Sequence, residues 1–116
     1  MNSLEIEKKF LLWPFFPFLA AALALGILPF TYTIGFDGVW YARMAENIFA
    51  GKGMAINPGE VYLDHPPFYS VLIGLLNLLA QNTELSGHLV SILAFSFTTI
   101  PLFFLARSIY SERAAN

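Results

Sequence analysis

The side chains that could do chemistry in this chain fall between two long apolar stretches: Asp37, Arg43, Glu46, Lys52, Glu60, Asp64, His65 and Glu84. A carboxylate at a helix start can take a proton from a hydroxyl, and a cationic group can steady a departing phosphate. Asp64 and His65 with the distant His88 offer oxygen and nitrogen donors, but they lack the ligand spacing of a zinc site. The chain has no cysteine, which excludes disulfides, iron-sulfur clusters and thiolate zinc. It contains neither a GxxxxGK[ST] phosphate loop nor a GxGxxG turn, and its net charge is -2, so no nucleic-acid partner is expected.

The elements that must position these groups are apolar. Hydrophobic residues make up 57% of the 116 and charged residues 12%, with a mean hydropathy of +0.62. Phe10 to Phe36 runs without a charge, longer than the ~20 residues that cross a bilayer core, with Pro14 and Pro17 in its first turns and Trp13, Tyr32 and Phe36 at interfacial positions. A signal peptide is the alternative, but Ala20-Ala21-Ala22 sits in mid-stretch and Thr33-Ile34-Gly35 makes a poor cleavage site. Leu85 to Ala106 gives a second uncharged stretch, with a mild kink expected at Pro101. Lys8, Lys9, Arg107 and Arg113 flank the two stretches on their outer sides. The positive-inside rule then puts both termini in the cytoplasm and residues 37–84 outside a plasma membrane.

Within that loop Tyr41, Met44, Ala45, Ile48 and Phe49 recur at helical spacing, opposite Arg43, Glu46 and Asn47. This predicts an amphipathic helix near 38–50 lying along the membrane surface, capped by Asp37 and closed by Gly51-Lys52-Gly53. Asn57-Pro58-Gly59 reads as a turn, and Val61-Tyr62-Leu63 only as extended chain. Residues 66–80 reach about 22 Å as a helix, too short to span. Ser70, Gly74, Asn77 and Gln81 share one of its faces, which predicts an interfacial helix with a polar side. The expected fold class is all-α: two transmembrane helices with two membrane-parallel helices in the intervening loop. Two spans bury little against each other, so the chain is expected to be a piece of a larger assembly of helices, in one longer chain or with a partner subunit.

The order of these features resembles a family. A first span, Asp37 with Tyr41-Ala42 four residues on, the Gly51-Lys52-Gly53 turn and His65-Pro66-Pro67-Phe68-Tyr69 opening an apolar helix resemble the N-terminal part of C-type membrane glycosyltransferases. The likeness is to the branch of protein O-mannosyltransferases, lipid A aminoarabinose transferases and related bacterial enzymes, and it covers nearly the whole chain. Gly38 and Trp40 depart from members that carry a second acid and a basic residue there. Asp64-His65-Pro66-Pro67 stands where the aminoarabinose branch has acid-lysine-Pro-Pro. The resemblance implies transfer of a sugar from a polyprenyl-phosphate donor to an acceptor hydroxyl at the extracytoplasmic face, with Asp37 as the catalytic base. It implies substrate contacts by Tyr41, Arg43, Asp64 and His65, and it leaves open whether a divalent metal assists.

Plainer roles stand beside each of these. Asp37 could only cap its helix, Asp64 and His65 could only begin one, and Arg43 could meet lipid headgroups. Trp40 and Tyr41 could be interfacial anchors, and Ser91, Ser96, Thr98 and Thr99 helix-packing groups. A small two-span protein that binds lipid or a partner subunit through its loop is the alternative to an enzyme.

Overall fold

The computed structural model describes residues 15–30, 34–57 and 59–109. All regular structure among them is helical: α1 (Phe15–Ile27) running into a 3₁₀ turn (Leu28–Phe30), α2 (Phe36–Phe49), α3 (Pro67–Ala80) and α4 (Thr83–Ile109). The contacts divide the chain into two units. One holds α1 and α4 from Ile92 onward; the other holds α2, α3 and α4 up to Ser91.

The α1–α4 unit is made of helices that are apolar all round. No residue of α1 is buried, and Phe18, Leu23, Phe95 and Phe97 point outward. A helix without a polar face is stable only where its surroundings are themselves apolar. Phe16 meets Phe103 with ring centroids 6.4 Å apart. Ser96 and Thr99 turn their hydroxyls onto their own helix, donating to the carbonyls of Ile92 and Ser96. Such bonds satisfy a hydroxyl without a neighbour. α4 stays helical through Pro101.

Among the described residues one helix is long and apolar enough to cross a membrane, over Thr83–Ala106. The expected second stretch is thus present as a helix that starts two residues earlier than Leu85, because Asn82 caps it: its Oδ1 accepts from the Leu85 N–H at 2.9 Å. The first expected span, 10–36, is described only in part. α1 and its 3₁₀ turn reach about 25 Å, and residues 10–14 and 31–33, with Trp13, Pro14 and Tyr32, lie outside the described residues.

The α2–α3 unit is built differently. Ala45, Ile73 and Val90 form its core, with Tyr41, Tyr69, Leu72 and Leu76 against them, and Met44 is fully buried. The apolar stripe read along α2 is therefore the face that meets α3. On α3 the expected polar side is corrected: Ser70 and Gly74 are buried in the contact with α2, and Phe68, Leu75, Leu78 and Leu79 face outward. Small residues let the two backbones approach, and Ser70 Oγ donates to the Tyr41 carbonyl at 3.0 Å. A Cβ on Gly74 would stand 2.2 Å from the Phe49 ring. What reads as polarity in the sequence is small size used for packing.

α2 ends as expected. The Lys52 N–H donates to the Asn47 carbonyl and the Gly51 N–H to that of Ile48, with Gly51 at φ +74°. This paired pattern is a Schellman motif, which needs the left-handed conformation that glycine adopts without strain. α3 starts at Pro67, one residue later than the expected 66, with Pro66 at its N-cap, and ends where Gln81 turns left-handed.

Candidate functional site

Asp37 does not cap α2. The helix begins at Phe36 with Gly35 as N-cap, and no side chain caps it. Glycine at the cap avoids a side chain where the backbone is extended, and Asp37 then falls in the first turn, where the helix dipole favours a carboxylate. Its side chain is exposed. The carboxylate is left available at the mouth of the α2–α3 unit, one helical turn before Tyr41.

The loop between α2 and α3 folds back along α2, from Asn47 toward Trp40. Asn47 Nδ2 donates to the Ala55 carbonyl at 2.7 Å, and the Tyr62 N–H donates to the Met54 carbonyl at 2.8 Å. Ala55 is buried beneath this strap. The expected turn forms, with the Glu60 N–H on the Asn57 carbonyl at 3.3 Å and Gly59 at φ +86°. The strap delivers Tyr62, Asp64 and His65 to the residues of α2.

The His65 ring is the centre of an aromatic cluster. It meets Trp40 and Tyr41 edge-on, with centroids 5.4 and 5.0 Å away, and stacks on Tyr62 at 5.4 Å with an interplanar angle of 23°. Trp40 and Tyr62 touch each other at 5.6 Å, and Tyr41 continues to Tyr69 at 5.0 Å. The Tyr69 hydroxyl donates to the Gly87 carbonyl at 3.0 Å and is 2.7 Å from Ser91 Oγ, which fastens the cluster to the start of α4. Edge-to-face pairs of this kind stabilise by about 0.5–1.5 kcal/mol each beyond burial. His65 Nδ1 is buried with no hydrogen-bond partner, an arrangement that costs roughly 1–3 kcal/mol.

The electrostatics of the cluster are acidic. The Tyr62 hydroxyl is held above its usual value of 10.0, first by desolvation and then by the charges of Asp64 and Asp37, with a further contribution from Tyr41. Both carboxylates therefore act on one phenol, although 27 residues of chain separate them. The ring contacts bring Tyr41 and Tyr62 together at His65, and Asp37 and Asp64 lie near enough for their charge to reach Tyr62. Arg43 is not among them: it faces a neighbouring pocket of about 390 Å³ lined by Val39, Trp40, Arg43, Ile56, Asn57, Glu60 and Tyr62. Lys52 is exposed in the turn after α2.

Tyr62 escapes a reading of the sequence because Val61-Tyr62-Leu63 is too short to show a period. Trp40 reads as an interfacial anchor, and its signal was only its place one residue before Tyr41. Among the described residues no three His, Asp or Glu side chains gather as metal ligands. Comparisons with family models, with curated proteins and with solved structures give no match.

Proposed function

We propose that this chain is the amino-terminal part of a membrane glycosyltransferase that moves a sugar from a polyprenyl-phosphate donor to an acceptor hydroxyl. The motif order from Asp37 to Tyr69 supports the reaction class by resemblance. The observation that supports the site is the exposed, uncapped Asp37 carboxylate, one turn before Tyr41 and within electrostatic reach of Tyr62. In this reading α1 completes the first of two spans, α4 is the second, and the α2–α3 unit rests on the extracytoplasmic surface with the outward Phe68, Leu75, Leu78 and Leu79 in lipid.

The reaction is a single displacement. The acceptor oxygen bonds to the anomeric carbon as Asp37 takes its proton, and the bond from that carbon to the phosphate oxygen breaks with the electron pair leaving on the phosphate. A base in this position contributes about 10²–10⁴-fold. Polyprenyl phosphate departs as an anion, for which Lys52, exposed in the turn after α2, and a ring N–H of His65 are the loop donors outside the Arg43 pocket. Asp64 and Tyr41 hold the acceptor, and Tyr41 also fixes the His65 ring.

The test is Asp37→Asn in the gene product as it is made in native membranes, assayed with radiolabelled polyprenyl-phosphate sugars. Asn keeps the shape of the side chain, and Asp37 makes no capping bond, so abundance is expected to stay unchanged. Transfer is expected to fall by about 10²-fold or more. Retained transfer would remove Asp37 from the chemistry. Absence of transfer from the parent protein with any polyprenyl-phosphate sugar would favour the small protein that binds lipid or a partner subunit.

A further inference from the structure

We propose that the pocket between α2 and the 55–62 strap is a subsite for an uncharged pyranose ring of the acceptor, which rests on the transferase reading for the word acceptor and makes the acceptor a glycan. Its walls carry both halves of sugar chemistry. Trp40 and Tyr62 stand edge to face, 75° apart, and both line the pocket. The face of an aromatic ring is negative and the C–H groups along one side of a pyranose are weakly positive, so an aromatic wall holds the ring by its apolar side. Trp40 keeps 38% of its surface exposed beside its contacts with Tyr62 and His65.

The lining also carries polar groups. Asn57 Nδ2 donates to Glu60 Oε2 at 3.4 Å, and the turn that joins them is closed by the Glu60 N–H on the Asn57 carbonyl. Together with the Arg43 guanidinium these groups offer donors and acceptors side by side, the complement of neighbouring hydroxyls. About 390 Å³ lies within the range of small-molecule sites.

Charge selects an uncharged ligand. Arg43 and Glu60 balance within the pocket, and the Tyr62 wall already lies in the field of Asp37 and Asp64. A lipid phosphate would meet the Glu60 carboxylate there, and the one lining cation, Arg43, leaves no surplus positive charge for it. Position points to the acceptor: Trp40 and Tyr62 are shared by the pocket and the His65 cluster, and Arg43 lies six residues beyond Asp37, about 9 Å along α2. A ring seated in the pocket leaves the space at the start of α2 for the hydroxyl that reacts.

The experiment is saturation-transfer NMR on the full protein in lipid nanodiscs, with a panel of methyl hexopyranosides. At least one glycoside is expected to show enhancement on its ring C–H protons, with affinity lowered at least tenfold by Glu60→Gln and by Trp40→Ala and kept by Trp40→Phe. Glu60 is exposed on the strap, so Glu60→Gln tests the pocket even if Trp40→Ala fails to fold. No enhancement for any glycoside, or enhancement indifferent to Glu60→Gln, overturns the subsite. Displacement of the glycoside by a polyprenyl-phosphate sugar assigns the pocket to the donor and overturns the acceptor claim. The two proposals fail separately: transfer without glycoside binding removes the subsite alone, and variant-sensitive glycoside binding in a protein that transfers no sugar upholds the subsite and removes the transferase reading.

Discussion

The α1–α4 unit and the α2–α3 unit use the same apolar composition to opposite ends. In the first, only Ser96 and Phe103 are buried among the described side chains, and the large residues of α1 and α4 turn outward. In the second, Met44, Ala45, Ile73 and Val90 close a core, Ser70 and Ser86 are buried with hydrogen bonds, and Thr83 donates to Glu46 across helices at 2.8 Å. The first unit takes its stability from an apolar environment, as lipid or further helices would supply. The second carries its own packing and can hold side chains in fixed geometry.

The comparison breaks first on charge. Arginine at Phe95, mid-way along the candidate span, should weaken membrane insertion by about 2.5–3.5 kcal/mol. Arginine at Leu63, also exposed and next to the strap, should leave insertion unchanged; alkaline extraction of membranes separates the two. An equal response at both positions would mean that α4 does not sit in lipid.

Packing gives the next largest effect. Gly74→Ala places a methyl group against the Phe49 ring and should lower the stability of the α2–α3 unit by about 1–3 kcal/mol, less the ~1 kcal/mol that alanine returns in helix propensity. Thermal unfolding in detergent measures the loss, and Phe49→Leu in the same chain should restore part of it. At Gly26 in α1 a Cβ meets nothing within 4 Å, so Gly26→Ala should cost nothing.

The smallest effect is electrostatic. The phenolate absorbance that Tyr62→Phe removes should appear above pH 10, since desolvation and the nearby carboxylates favour the neutral phenol. Asp64→Asn should move that step to lower pH. Because the folded value lies above the unfolded one, the unfolded chain gives up this proton first, and the group's contribution to stability is lost as pH rises past 10.

Long-period features were legible in the sequence. The helix of residues 85–106, the two loop helices and the glycine end of α2 follow from uncharged length, helical spacing and turn chemistry, which act over neighbouring residues. Tertiary choices were not. Gly35 took the cap from Asp37 because either residue suits the extended backbone there, and two further residues of helix, Phe36 and Asp37, decided between them. Ser70 and Gly74 read as a polar face because periodicity does not distinguish small from solvated. The resemblance points to Tyr41, Asp64 and His65 as substrate contacts, but the part of Tyr62 depends on the Tyr62–Met54 hydrogen bond that folds the strap over α2.

The account rests on the α2–α3 unit working outside the membrane between two spans, and the absence of cysteine makes that directly measurable. Lys52→Cys on the exposed turn and Ser111→Cys, two residues past Ile109 in the sequence, each introduce one thiol, to be labelled in intact cells with a membrane-impermeant maleimide. The account predicts that Lys52→Cys labels at once and that Ser111→Cys labels only after permeabilisation. Labelling of Lys52→Cys only after permeabilisation would place Asp37 on the wrong side of the membrane for this reaction and contradict it.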